Sequence, residues 1–292
     1  MSIPNFTYLS PGTLEEALAM RTRHGAKSSI LAGGTDLLIK MDHHVILPDF
    51  VIGLNRIPDI DYINLMPGGE LAIGAMARLS AIVEHNEILN NFPALAHAAG
   101  VTATVQIRNM GTLVGNICNA SPSADNATPL LVYGALVVIL NQDGERVIPI
   151  DQFFKGPGKS ILEPNELVKE FILPKPEPQT GSSYQKISTR SKVDIAGICV
   201  SALITLNKDG KIKQARIALG AVSPIPVRVY QAEELLIGNM PDLSLLQQAA
   251  KIARDESSPI SDMRSSADYR KAMVEILTLR ALEASIESAT KN

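Results

Sequence analysis

At 292 residues, 46% hydrophobic and 20% charged, the chain is long enough to bury two modest cores and is ordinary enough in composition to be globular. Its net charge of −3, without a long like-charge block, argues against a nucleic-acid or anionic-membrane surface, and no apolar run nears the roughly 18 residues of a membrane span. Met1 to Leu18 lacks the basic start and apolar centre of a signal peptide, which predicts a cytoplasmic protein. Cys118 and Cys199 alone are too few for a disulfide framework, a structural zinc site or a cysteine-ligated iron–sulfur cluster, so no metal is expected in this chain.

Thr13-Leu14-Glu15-Glu16 has capping-box spacing and predicts a first helix, with Glu16 reaching back to the Thr13 amide and an end near Gly25. Ser29 to Ala32 reads as a short strand running into Gly33-Gly34-Thr35-Asp36 and a second helix start. Asp49 to Leu54 predicts another strand, and Tyr62 to Leu65 with Glu70 to Gly74 a hairpin across Pro67-Gly68-Gly69. Pro93 to Thr104 predicts a helix. The polar stretch from Arg108 to Asn126 reads as a long loop of the kind that holds a ligand. Thr128 to Tyr133 reads as a helical turn, Leu136 to Leu140 pairs with Arg146 to Ile150 across Asp143-Gly144, and Leu167 to Leu173 is a strand.

Pro174, Pro176 and Pro178 break regular structure and divide the chain into residues 1–177 and 178–292. The second part opens with strands at Ser183 to Ile187, Ile198 to Leu206 and Gln214 to Ala221. Helices follow at Arg228 to Ile237, Ser244 to Arg254 and Ala267 to Ser288.

A strand that delivers Gly33-Gly34-Thr35 to a helix start exposes consecutive backbone N–H groups, which suits a phosphate. Gly111-Thr112-Leu113-Val114-Gly115-Asn116 offers a second such loop, with Thr112 and Asn116 as side-chain donors, and the pair suits a diphosphate. Either glycine pair alone reads equally as a tight turn. No P-loop lysine follows the glycines, and the acidic residue of a Rossmann site is misplaced, since Asp49 precedes its strand. Hydrolase and zincin motifs are missing. The adjacent His43 and His44 point in different directions and read as surface residues.

Three ordered segments carry a resemblance: Ala32-Gly33-Gly34-Thr35-Asp36-Leu37, Arg108-Asn109-Met110-Gly111-Thr112-Leu113-Val114-Gly115-Asn116, and Ala120-Ser121-Pro122-Ser123-Ala124-Asp125. Tyr184-Gln185-Lys186-Ile187 through Arg190 to Asp194-Ile195-Ala196, and Asp268-Tyr269-Arg270, continue it. Together they resemble the FAD-binding medium subunits of molybdenum hydroxylases, the xanthine dehydrogenase and carbon monoxide dehydrogenase family, over nearly the whole chain. The resemblance implies an α+β fold: a two-part N-terminal FAD-binding domain of the PCMH type, then a C-terminal α+β domain with a small antiparallel sheet and helices.

It further implies that Ile30, Leu31, Ala32, Gly33, Gly34, Thr35, Asp36 and Leu37 wrap the FAD pyrophosphate, with Gly111 to Gly115 covering its other side. Asp125 would accept hydrogen bonds from the flavin's sugar-alcohol chain, or merely cap a loop. Lys186 would stand near the pyrimidine end of the isoalloxazine, or be a solvated strand lysine. Val168 or Leu167 would pack near the flavin or serve as ordinary core. Arg190 and Asp194 would support the lysine strand or form a surface ion pair. Relatives commonly carry two glycines where this chain has Val114-Gly115, so Val114 must suit the local backbone.

The function implied is an electron-transfer subunit of an oxidoreductase. A large molybdopterin-binding partner and a small partner with two [2Fe–2S] clusters would join it in a dimer of heterotrimers. Electrons from the clusters would pass to an external acceptor. The rivals are a self-contained FAD-dependent oxidoreductase and a scaffold that has lost its flavin. No catalytic acid–base pair or nucleophile stands out.

Overall fold

A computed structural model of the protein describes residues 4–190 and 193–291. The N-terminal part begins with β1 (Thr7–Leu9), α1 (Leu14–His24), β2 (Ser28–Leu31), α2 (Leu37–Asp42) and β3 (Phe50–Gly53). These strands form a parallel sheet in the order β1-β3-β2. Thr13 caps α1 by accepting from the Glu16 amide, but Glu16 accepts from the Gly12 amide at 2.7 Å, one residue earlier than the capping box predicts. Ala17 and Leu18 bury the inner face of α1 with Ile52 and Leu54.

Next come β4 (Ile63–Leu65), β5 (Leu71–Gly74), α3 (Leu79–Glu84), α4 (Asn86–Asn91), α5 (Pro93–Val101), α6 (Val105–Arg108), α7 (Leu113–Cys118) and α8 (Ala127–Tyr133). β6 (Leu136–Asn141), β7 (Gly144–Pro149), the short pair β8 (Phe154–Gly156) and β9 (Lys159–Ser160), and β10 (Leu167–Leu173) complete the part. A five-stranded antiparallel sheet has the order β4-β5-β10-β6-β7, so the last strand enters the middle. The predicted hairpins pair as expected. The stretch from Arg108 to Asn126 is not one long loop: α7 lies within it, because Thr112 Oγ1 accepts from the Gly115 amide at 3.0 Å and starts a turn whose Leu113, Val114 and Ile117 are buried.

Residues 174–179 lead to β11 (Thr180–Ile187), β12 (Ile198–Leu206), β13 (Ile212–Gly220) and β14 (Val227–Arg228), an antiparallel sheet in chain order, then to α9 (Tyr230–Leu236), α10 (Leu243–Glu256) and α11 (Ala267–Ala289). β12 is buried along its whole length because both faces are covered. Its Ile198, Val200, Ala202 and Ile204 pack with Leu277, Ala281 and Leu282 of α11, while Cys199 and Leu203 join the core of the N-terminal part. Across that second face Ser201 donates to Thr128 of α8 at 2.9 Å, Tyr133 pairs with Ser182 at 2.6 Å, and Arg216 donates to the Val132 carbonyl at 3.2 Å. The two parts share a core.

The turn entering α11 carries a pH-sensitive contact. Asp262 accepts from the Arg264 amide at 2.8 Å and from the Arg270 guanidinium at 2.7 Å, which lower its pKa to about 2. A depressed carboxyl stabilises the fold above its ordinary pKa of about 3.9 and loses that contribution as pH falls through the folded value. Urea unfolding of Asp262→Asn is therefore expected to show less loss of stability between pH 5 and pH 2 than the parent chain; equal acid sensitivity would refute this assignment.

Candidate functional site

A cavity of about 780 Å³ lies between the parallel sheet, α7 and the loop before α8. Its wall includes Ile30, Ala32, Gly33, Gly34, Thr35, Asp36 and Leu37 from the first predicted loop, and Gly111, Thr112, Val114, Gly115 and Asn116 from the second. Asp125, Leu167 and Val168 border it as well. Three predicted residues do not. Leu113 is fully buried in the core beneath α7, Leu31 packs its side chain under Gly34, and Lys186 stands behind Asp125.

The two loops touch directly. A Cβ on Gly33 would fall 2.0 Å from the Met110 carbonyl oxygen, so glycine is what allows the loops to meet. Gly34 has φ +75°, which aims the following residues into α2. Among the described residues, the amides of Gly33, Gly34, Thr35 and Asp36 donate no hydrogen bond within the chain. Four consecutive N–H groups at the wall of a cavity are an anion cradle. In the second loop the Gly115 amide is already taken by Thr112, and Val114 lies in α7 without the positive φ that a β-branched residue avoids.

Four carboxylates border the cavity, and each has a partner in the chain. Glu166 accepts a bidentate pair from Arg146 at 2.7 and 2.8 Å, which holds its pKa down. Asp194 does the same with Arg190 at 2.9 and 2.7 Å, and its pKa falls for the same reason. Asp36 accepts from Asn119 at 3.0 Å, and Lys40 donates to the other end of that amide. Asp125 accepts from Tyr184 at 2.5 Å and pairs with Lys186 at 3.0 Å. Burial raises the Asp125 pKa, against the pull of Lys186 and Tyr184. A dianionic ligand therefore meets no bare carboxylate, and the donor set fits a diphosphate.

Residues 4–176 match the family described as the FAD binding domain in molybdopterin dehydrogenase. The chain belongs to this family. Residues 183–285 also match the CO dehydrogenase flavoprotein C-terminal domain. The chain is 31% identical to the xanthine dehydrogenase FAD-binding subunit of Escherichia coli O157:H7, over 97% of each chain. It is 32% identical to the carbon monoxide dehydrogenase medium chain of Hydrogenophaga pseudoflava, over 96% of this chain and 97% of that one. The solved structure of carbon monoxide dehydrogenase from that organism superimposes with a TM-score of 0.94, covering 99% of both chains. As a member of the molybdopterin dehydrogenase FAD-binding family, the chain is an oxidoreductase subunit with FAD as its cofactor, and the α+β architecture expected from the resemblance is the one observed.

Within this FAD-binding subunit, tertiary structure adds wall residues that no motif announced: Arg21, Lys40, Thr102, Asn119 and Ser160. They are isolated in sequence, so spacing carried no signal for them. Lys40 sits one turn after Asp36 on α2, and that periodicity alone could have paired it with the first loop. Among the described residues, no cluster of three or more His, Cys, Asp or Glu side chains could hold a metal ion, and no helix is long and apolar enough to cross a membrane.

Proposed function

We propose that this chain is the FAD-carrying electron-transfer subunit of a heteromeric molybdenum hydroxylase in the cytoplasm. It takes electrons from the [2Fe–2S] clusters of a small partner, is joined to a large molybdopterin-binding partner in a dimer of heterotrimers, and passes electrons to an external acceptor. The observation that carries the reading is the row of amides from Gly33 to Asp36 that have no partner among the described residues, on a cavity whose carboxylates are all paired.

Bound FAD would supply a centre that accepts single electrons and releases a pair. The chain's own residues bind and orient it. The amides of Gly33 to Asp36 hold the pyrophosphate, with Ile30, Leu31, Ala32 and Leu37 shaping the turn around them. Gly111 to Gly115 close the opposite side, and Asn116 adds a donor. Asp125 orients the sugar-alcohol chain, Lys186 pairs with Asp125 from behind, and Val168 packs beside the ring. The division between the FAD-binding domain and the C-terminal domain is placed at residues 177 and 178.

The test is to purify the protein natively with its companions, record the absorbance spectrum, and assay molybdenum and iron. Flavin bands with stoichiometric iron and molybdenum in two further chains are the expected result. Flavin in this chain alone, with activity towards an organic substrate, would favour the self-contained oxidoreductase. No flavin uptake after addition of FAD would overturn the reading.

A further inference from the structure

Asn126 is fully buried beside Asp125 and lies behind the cavity wall. Its Nδ2 donates to Thr102 Oγ1 at 3.2 Å and to Asn116 Oδ1 at 3.1 Å, while its Oδ1 is buried with no partner among the described residues. Heavy-atom positions alone leave an amide's two ends interchangeable, so its orientation must follow from the network around it. Here the network decides. Thr102 has one hydroxyl proton, and it goes to the Ala98 carbonyl at 2.7 Å; the Asp125 carboxylate is the other acceptor within its influence. Either way the proton is spent away from Asn126, and Thr102 can only accept from it. Asn126 must therefore turn Nδ2 towards Thr102, and its second N–H then points at Asn116. Asn116 answers with Oδ1, which leaves its own Nδ2 for the cavity that it borders.

We infer that Asn126 is a positioning residue: through the relay from Ala98 and Thr102 it fixes the side-chain amide of Asn116 so that the FAD site receives an N–H donor and not a carbonyl acceptor. The ligand atom it suits is an oxygen of the pyrophosphate or of the sugar-alcohol chain. The inference rests on the FAD reading above. It also explains why a polar residue occupies this buried position although its own Oδ1 goes unsatisfied among the described residues.

The experiment uses the full chain stripped of flavin, titrated with FAD and followed by flavin fluorescence. Asn126→Asp replaces the donor by an acceptor, so Asn116 must turn its N–H inward and its carbonyl towards the ligand. FAD binding is expected to weaken about 10- to 100-fold. Asn126→Leu, which only releases the tie, is expected to cost roughly 3- to 10-fold. In an Asn116→Ala background the Asn126→Asp change should add less than about 2-fold, because its effect acts through Asn116. A direct effect of the new charge near Asp125 would persist in the Asn116→Ala background, so that comparison separates it from the relay. Wild-type affinity in Asn126→Asp, or an undiminished loss in the Asn116→Ala background, would overturn the inference. Side-chain amide exchange in the wild-type chain without FAD gives a separate readout. Protected Asn126 NH2 protons with freely exchanging Asn116 NH2 protons support the relay, and the reverse pattern refutes it even if FAD does not bind at all.

Discussion

Gly33→Ala should leave the purified chain almost free of FAD, with affinity reduced on the order of 100-fold. The added Cβ would meet the Met110 carbonyl oxygen at 2.0 Å, the Met110 carbonyl carbon at 2.7 Å and Gly111 Cα at 2.8 Å. All three are backbone atoms, so no rotamer change relieves the clash, and the two loops must part. Parting them opens the cradle formed by the amides of Gly33 to Asp36 and strains the cap that starts α7. Overpacking of this kind costs about 1–3 kcal/mol, which for a chain of this size lowers the thermal midpoint by several degrees. Gly34→Ala is the informative contrast. At φ +75° it costs roughly 1–2 kcal/mol, but its Cβ would meet only the side chains of Leu31 and Leu38, at 3.1 and 3.2 Å, and these can shift. Flavin absorbance per mole of protein checks the pair. If Gly33→Ala retains as much FAD as Gly34→Ala, contact between the loops is not what builds the site.

Lys186→Met should destabilise the chain by about 3–5 kcal/mol, the cost of leaving a buried carboxylate without its counter-charge. The Lys186 and Asp125 side chains are only 6% and 9% exposed, and their ion pair is 3.0 Å long. The double variant Lys186→Met, Asp125→Leu removes both charges and is expected to recover most of the lost stability while still binding FAD poorly. That split separates the pair's structural role from Asp125's place on the cavity wall. The pH dependence has a definite sign. Burial already raises the Asp125 pKa, and loss of Lys186 removes the largest opposing influence. A carboxyl whose folded pKa is raised favours the folded state when protonated, so the deficit of Lys186→Met should be full at alkaline pH and shrink on acidification. Urea midpoints at pH 8 and pH 5 test this, and a deficit independent of pH would show that Asp125 is not the group left stranded.

The elements legible in sequence were those with strong local signals. Thr13 announced α1, Pro174 to Pro178 the break after β10, and the apolar run from Ile198 to Leu206 a strand, whose coverage on both faces only the structure shows. The Gly33-Gly34 turn and Asp125 were also singled out, and both lie on the cavity wall. The helices α3 and α4 were missed because they are only six residues each and follow no cap with a side-chain hydrogen bond. α7 was hidden by its glycine and asparagine content, and Thr112, read in sequence as a side-chain donor of the loop, is its N-cap.

Local chemistry along the chain determined where strands and longer helices form, which loops expose amides, and that neither cysteine builds a framework. Only the tertiary structure decided that Lys186 spends its charge on Asp125, that Asn126 reaches back to Asn116, and that α8 joins the two parts into a shared core through Ser201, Ser182 and Arg216. The reason is physical. Caps, turns and periodicity are interactions between neighbours in sequence, whereas the pairing of a buried polar group depends on which distant side chain arrives beside it, and burial makes that partner indispensable.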